Sequence, residues 1–263
     1  MMLSDIDLAM SLKDQVGWNQ TPDDIRRLVE YEPDGCFIAE LDGTPVGTVS
    51  TTSYGTKLAW IGMMLVLPEY RRRGVARNLM QTSIDYLQRR GVTCIKLDAT
   101  PLGQPLYEQL GFHAEWGFQR WEREGENFPA FPLGGDLSAQ LVALDEVAFG
   151  ADRSGWLTSV ASGCRVFTSR STYGMLRPGS VATYLGSVVS DDSSAVTTMV
   201  SEMLSATEGR VFWDIPTGHE LSEQLAAEHG FQPVRQLLRM WRGDANVAGR
   251  PEMQFGLLDP TTG

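Results

Sequence analysis

The chain has 263 residues, 42% of them hydrophobic, a size and composition that suit two domains with real cores. Its 22 Lys and Arg against 33 Asp and Glu leave a net charge of −11, shared by both halves. That excludes a basic nucleic-acid-binding domain and at most steers a cationic small molecule.

The longest uncharged apolar run, residues 58–68, falls well short of the roughly 20 residues of a membrane span. The opening MMLSDIDLAM carries acids where a signal peptide needs positive charge. A cytoplasmic protein without a membrane partner is expected. Cys36, Cys94 and Cys164 are far apart and form no CxxC, and His113, His219 and His229 lack metal-ligand spacing. Neither a disulfide framework nor a metal site is expected.

In chain order, a helix is predicted over 5–14, followed by the loop GWNQ at 17–20. A second helix opens on Thr21 as N-cap, Pro22 at the first position and acids at Asp23 and Asp24. GCFIAE (35–40), the turn Asp42-Gly43 and VGTVS (46–50) read as strand, turn, strand. WIGMMLV (60–66) reads as a buried strand. Residues 74–90 form a helix with Ala76, Leu79, Met80, Ile84 and Leu87 on one stripe and Gly91 as the stop. A strand at 93–99, a short helix at 105–112 and a strand at 115–121 complete the half.

EGENFPAFPLGGD (124–136) has no periodicity and reads as a linker, placing a boundary between domains 1–126 and 127–263. The second half repeats the order. Helix 138–148, loop FGADR (149–153) and a second helix ending near Ser159 lead into GCRVFTS (163–169), which mirrors GCFIAE. After a strand around 173–176, ATYLGSVV (182–189) mirrors AWIGMMLV. A helix at 193–206 follows. RVFWDIP mirrors CIKLDAT, AAEHGF mirrors YEQLGF, and QLLRMW mirrors WGFQRW. Arg120 and Arg239 each stand eight residues after the phenylalanine of a Gly-Phe pair. Matches in one order at similar offsets indicate a tandem duplication.

The stretch MMLVLPEYRRRGVARNLM (63–80) sets three arginines and a glycine where a strand gives way to a helix. A helix N-terminus presents free N–H groups and the positive end of the macrodipole. Gly74 admits a ligand close to the backbone, and the arginines suit phosphate. On charge alone, a solvated basic loop before a surface helix is the better explanation of the segment.

The surroundings decide. Val66-x-Pro68 followed by Arg71-x-x-Gly74-x-Ala76 resembles the signature of the GNAT superfamily of acetyl-CoA-dependent N-acetyltransferases, and LYEQLGF (106–112) resembles its later L-Y-x-x-x-G-F motif. The whole chain resembles tandem members whose second copy has diverged. The resemblance implies an α/β (α+β) protein with two such domains, each a mixed, mainly antiparallel sheet flanked by helices. It implies acetyl-CoA as cofactor and a primary amine as acceptor; an amino acid, a polyamine, an antibiotic and a protein N-terminus or lysine all fit, and a small molecule is expected. Backbone groups of Met64, Leu65 and Val66 would pair with the pantetheine arm and polarise the thioester. Arg71, Arg72, Arg73, Gly74, Val75 and Ala76 would hold the pyrophosphate. Tyr107 would protonate the leaving thiolate.

Two positions depart from the family pattern. Pro101 stands where many members carry an asparagine, and no acid, histidine or tyrosine lies between Leu58 and Val66 to act as base. Asp98 is a candidate base or a structural carboxylate capping the turn that follows it. In the second copy, eight residues are missing where the arginine loop should be, SDDSS (190–194) stands there, and Ala226 matches Tyr107. One active site, in the first half, is therefore expected.

The second copy is expected to wall the acceptor cleft. Trp18 and Asn19, with Asp152 and Arg153 from the equivalent loop, are candidate acceptor-binding residues. A core tryptophan and an intradomain Asp–Arg pair are the alternatives. The expected function is acetyl transfer to a small-molecule amine, with a non-catalytic acyl-CoA-binding or regulatory module as the alternative.

Overall fold

A computed structural model describes residues 1–125 and 132–263. The expected domain boundary and the middle of the linker lie outside the described residues. The helices are α1 (Ile6–Asp14), α2 (Pro22–Tyr31), α3 (Val75–Arg89) and α4 (Gln104–Gln109) in the first half. The second half has α5 (Ala139–Phe149), α6 (Ser154–Ala161), α7 (Ser193–Ser205) and α8 (Glu220–Glu228). None of the described helices is long and apolar enough to cross a membrane.

The strands are β1 (Cys36–Leu41), β2 (Thr44–Tyr54), β3 (Leu58–Val66), β4 (Cys94–Ala99) and β5 (His113–Arg123), then β6 (Arg165–Thr168), β7 (Thr172–Arg177), β8 (Thr183–Ser190), β9 (Val211–Pro216), β10 (Gln232–Gly243) and β11 (Gln254–Gly256). The predicted elements are present, and their local causes are visible. Thr21 Oγ1 accepts from the Asp24 amide while the Asp24 carboxylate accepts from the Thr21 amide, a capping box that starts α2. Gly91, at a φ of 77°, ends α3. Along α3, Val75, Leu79, Met80, Ile84 and Leu87 face the sheet, and the opposite face is solvated.

The mixed α/β architecture with a mainly antiparallel sheet is as expected, but the strands form one sheet rather than two. Its order is β1-β2-β3-β4-β10-β5-β9-β8-β7-β6, with β11 added on β8. The two halves have exchanged their last strands: β10 lies on β4, and β5 lies on β9. The β10–β5 ladder forms the centre, and the order reads the same from either edge when each strand is replaced by its repeat.

Paired charges lock the exchange. Arg239 on β10 donates through Nε and one terminal nitrogen to both Asp98 oxygens on β4, each at 3.0 Å. Arg120 on β5 does the same to Asp214 on β9, at 2.8 and 2.7 Å. Each guanidinium also stacks on an aromatic ring of the opposite copy, Arg239 on Trp60 and Arg120 on Tyr184. Both aspartates are fully buried. Removing one partner of such a pair strands a buried charge at a cost of about 3–5 kcal/mol.

The cores follow the same logic. One lies under α3 and one under α7 and α8. A third joins the halves, with Ala9, Ile25 and Trp60 against Leu141, Trp156 and Tyr173.

Candidate active site

Strands β3 and β4 run parallel, but only Leu58, Ala59 and Trp60 pair, with Cys94, Ile95 and Lys96. Beyond them the two strands part, and a cavity of about 1350 Å³ opens between them. The break coincides with a bulge in β3. Met63 has a φ of 49°, the register against β2 shifts there, and Thr48 Oγ1 donates to the Met63 carbonyl at 2.9 Å. Met64, Leu65 and Val66 follow the bulge and line the cavity.

At the mouth stands the loop before α3. Arg72 and Gly74 both adopt left-handed backbone, with φ of 60° and 83°, the kind of geometry that turns amides inward as an anion nest. Gly74 is the N-cap of α3. It gives no side-chain cap, the first turn of α3 holds no acid, and the space beside its Cα is open. The helix therefore leaves its first N–H groups unsatisfied and facing a cluster of cations. Arg71, Arg72, Arg73 and Ala76 line the cavity, whereas Val75 is buried beneath the loop. Arg71 donates to the Val66 carbonyl at 3.0 Å, which ties the loop to the end of β3. The loop backbone and cations fit a pyrophosphate.

Tyr107, on α4, reaches the cavity from the side of β4. Its ring packs against Phe112, and its hydroxyl has no hydrogen-bond partner among the described residues. Burial pushes it up to about 12. It therefore holds its proton until a strong base develops beside it.

Asp98 also lines the cavity, but both its oxygens hold Arg239. Burial pushes its carboxyl up to about 6 against the pull of that arginine. It acts as a brace between strands from two halves, not as the cap of its own turn.

The expected acceptor residues divide. Trp18 lines the cavity, and its carbonyl accepts from Ser180 Oγ at 3.1 Å. Asn19 lines it too, but its amide oxygen is filled and one of its two N–H donors is used. The side-chain oxygen accepts from the Val181 and Ala182 amides, each at 2.8 Å, and the nitrogen donates to the Ala182 carbonyl at 3.0 Å. It clasps the two halves together.

Asp152 and Arg153 do not reach the cavity. Arg153 is buried, donates twice to Asp145 at 2.8 Å, and stacks over Phe149. Asp152 accepts from the Ser154 amide at the start of α6. The intradomain alternative describes Arg153, although its partner is Asp145 on α5.

Two model matches bear on the family. The model described as "Acetyltransferase (GNAT) family" matches residues 6–112, and that described as "Acetyltransferase (GNAT) domain" matches 141–256. The chain belongs to the GNAT acetyltransferases. It is a tandem member and an acyltransferase, from a family that generally uses acetyl-CoA.

Among relatives, it is similar to YitH of Bacillus subtilis, described as an uncharacterized N-acetyltransferase. The two are 24% identical over 82% of this chain and 81% of that protein. A Pyrococcus horikoshii crystal structure assigned to the acetyltransferases superposes with a TM-score of 0.86. It covers 100% of this chain and 94% of that one at 23% identity. A tandem GNAT protein from the clavulanic acid biosynthesis pathway gives 0.60 at 14% identity, over 92% and 97%. At these identities the structural likeness concerns the fold.

Within the GNAT frame the second copy is built differently at each matching point. Strands β8 and β9 also part after three pairs. Here β11 pairs with β8, and the Leu257 amide donates to the Asp214 carbonyl of β9 at 2.9 Å, so the chain itself fills the gap. The N-terminus of α7 is capped by Asp192, whose carboxylate accepts from the Ser194 amide. Ala226, at the position of Tyr107, is buried.

Sequence reasoning missed residues 254–263. After β11 this segment crosses to the first copy, where Thr261 lies against Gly62 and Asp259, Pro260 and Thr261 line the cavity. Asp259 is paired with Arg177, which also holds Asp24 at 2.7 Å. Trp60 Nε1 donates to the Pro260 carbonyl at 3.3 Å.

Proposed function

We propose that the protein moves an acetyl group from acetyl-CoA to a primary amine of a small molecule, in the cytoplasm, at one site carried by residues 1–126. Residues 127–263 wall the acceptor side. The observation that carries this reading is the parting of β3 from β4, with an uncapped helix N-terminus at its mouth and beside it a buried tyrosine whose hydroxyl has no partner among the described residues. The same parting in the second copy is filled by β11, which supports a single site.

Acetyl-CoA supplies a thioester-activated acetyl group. Amides at Arg72, Arg73, Gly74, Val75 and Ala76, with the Arg71, Arg72 and Arg73 side chains, bind its pyrophosphate. Backbone groups of Met64, Leu65 and Val66, without a β4 partner, bind the arm and polarise the carbonyl. The amine lone pair forms the C–N bond as the C–S bond breaks. The sulfur takes the proton of Tyr107, the nitrogen loses a proton to water, and the tyrosinate is reprotonated from solvent. No residue of β3 serves as base, so the amine reacts as its neutral form.

Thiol release from acetyl-CoA, followed with a panel of amines, tests the reading. Tyr107→Phe is expected to lower kcat by about 100-fold and to leave acetyl-CoA affinity unchanged in calorimetry. Gly74→Trp is expected to abolish that affinity. Equal kcat in the first variant removes the acid, and equal affinity in the second removes the loop.

A further inference from the structure

Six arginines line the cavity. Three form the loop before α3. Arg120 is neutralised by Asp214, and Arg177 by Asp24 and Asp259. Arg235, on β10, has neither an ion pair nor a side-chain hydrogen bond among the described residues. The carboxylates lining the acceptor side are not available to it. Asp98 holds Arg239, Glu122 is paired with Arg210, and Asp259 holds Arg177.

The position is costly for a cation. Arg235 stands directly opposite Arg120 in the β10–β5 ladder, and like charges facing each other across strands destabilise a sheet. It is half-buried, with Leu237 and Phe212 also on the cavity wall. Burial, and then the charge of Arg120, both weaken its hold on its proton, with Asp214 opposing. An anion in the cavity would remove both penalties and form charge-assisted hydrogen bonds.

We propose that Arg235 receives the carboxylate of the acceptor, so that the substrate class is a small amine carrying a carboxylate several bonds from its nitrogen. This rests on the acetyl-transfer reading above. The spacing follows from the strand. Arg235 lies four positions along β10 from Arg239, which faces Asp98 beside the parted strands, a separation on the order of 13 Å along the strand. The nitrogen and carboxylate of an α-amino acid's own α-groups are too close together to bridge it. An ω-amino acid, a lysine side chain or a dipeptide spans much more of it, and the long, flexible Arg235 side chain covers the remainder. The net charge of −11 describes the outside of the molecule; the acceptor wall is locally positive.

The test compares ε-aminocaproate, γ-aminobutyrate, lysine and glycylglycine, each with its own carboxamide, by thiol release from acetyl-CoA. Wild type is expected to favour at least one acid over its amide by about 10–100-fold in kcat/KM, the worth of a hydrogen-bonded charge. Arg235→Gln is expected to erase that preference through KM with little change in kcat, and Arg235→Lys to restore part of it. Acetyl-CoA affinity should be equal in all three proteins, and Arg235→Gln should melt no lower than wild type, since it removes a like-charge pair.

A preference that survives Arg235→Gln overturns the proposal. So does equal use of acid and amide, and so does a wild type that binds acetyl-CoA but acetylates no acid in the panel; in those cases the acetyl-transfer reading stands. A wild type that does not bind acetyl-CoA defeats that reading, and this inference with it.

Discussion

At the scale of single residues, the site depends on groups left unsatisfied. Among the described residues, Tyr107 has no hydrogen-bond partner, Gly74 gives no side-chain cap to α3, and Arg235 has no counter-ion. By contrast, the buried guanidiniums of Arg120, Arg153 and Arg239 each hold both oxygens of one aspartate. For Tyr107 the consequence is a pH dependence. An ordinary tyrosine ionises near 10, and burial pushes this one up to about 12. A group that must be protonated to donate is active below its own pKa and lost above it. At saturating acceptor, kcat is therefore expected to stay level through pH ~10 and to fall only toward about 12. A descending limb centred near 10 that disappears in Tyr107→Phe would show a tyrosine in water rather than a buried one. The same shift acts on stability: the raised folded pKa favours the native state below pH ~10, and that contribution is lost as pH rises toward about 12.

At the scale of elements, residues 254–263 do two different things in ten residues. β11 fills the gap of the second copy, and the stretch after it finishes the cavity of the first. Its fit is close at Gly62 on β3, where a Cβ would stand 2.0 Å from the Thr261 carbonyl oxygen. Gly62→Ala must push that backbone aside. It is expected to cost about 1–3 kcal/mol in urea unfolding and to raise the acceptor KM while acetyl-CoA affinity holds. Unchanged acceptor kinetics would show that residues 259–261 do not shape the pocket.

This segment was not legible in the sequence, because QFGLLDPTTG has no period and acts through its backbone. The helices and strands were legible, because α2 announces its start with Thr21, Pro22 and Asp24, α3 carries its stripe, and Gly91 stops it. The passage from strand to helix at RRRGVA was legible by its motif. Arg235 was not, since what marks it is the absence of a partner among the described residues in three dimensions. Arg153 illustrates the reverse error: a charged loop residue at a cleft-like position proves to be held by Asp145 eight residues earlier.

At the scale of the whole molecule, the exchange of β5 and β10 raises the question of what a half can do alone. The repeat itself conceals the exchange. Arg120 and Arg239 occupy equivalent positions, so each half carries an arginine that suits its own aspartate as well as the other's. Nothing local distinguishes a strand that closes on its own sheet from one that crosses. What favours crossing in the intact chain is the shared core of α1, α2, α5 and α6 and the clasp of Asn19 on residues 181 and 182.

We expect that residues 1–130 and 131–263, produced separately, lack a cooperative melt. Each would expose the edge of β4 or β9, a template for aggregation, and leave Asp98 or Asp214 buried without its arginine. The loss of about 3–5 kcal/mol per stranded charge is a large share of a stability on the order of 5–15 kcal/mol. Produced together, the fragments should copurify, melt in one transition and release thiol from acetyl-CoA. A half that melts cooperatively by itself would show that its last strand can dock back on its own sheet. The exchange would then be a property of the linked chain and not of the halves.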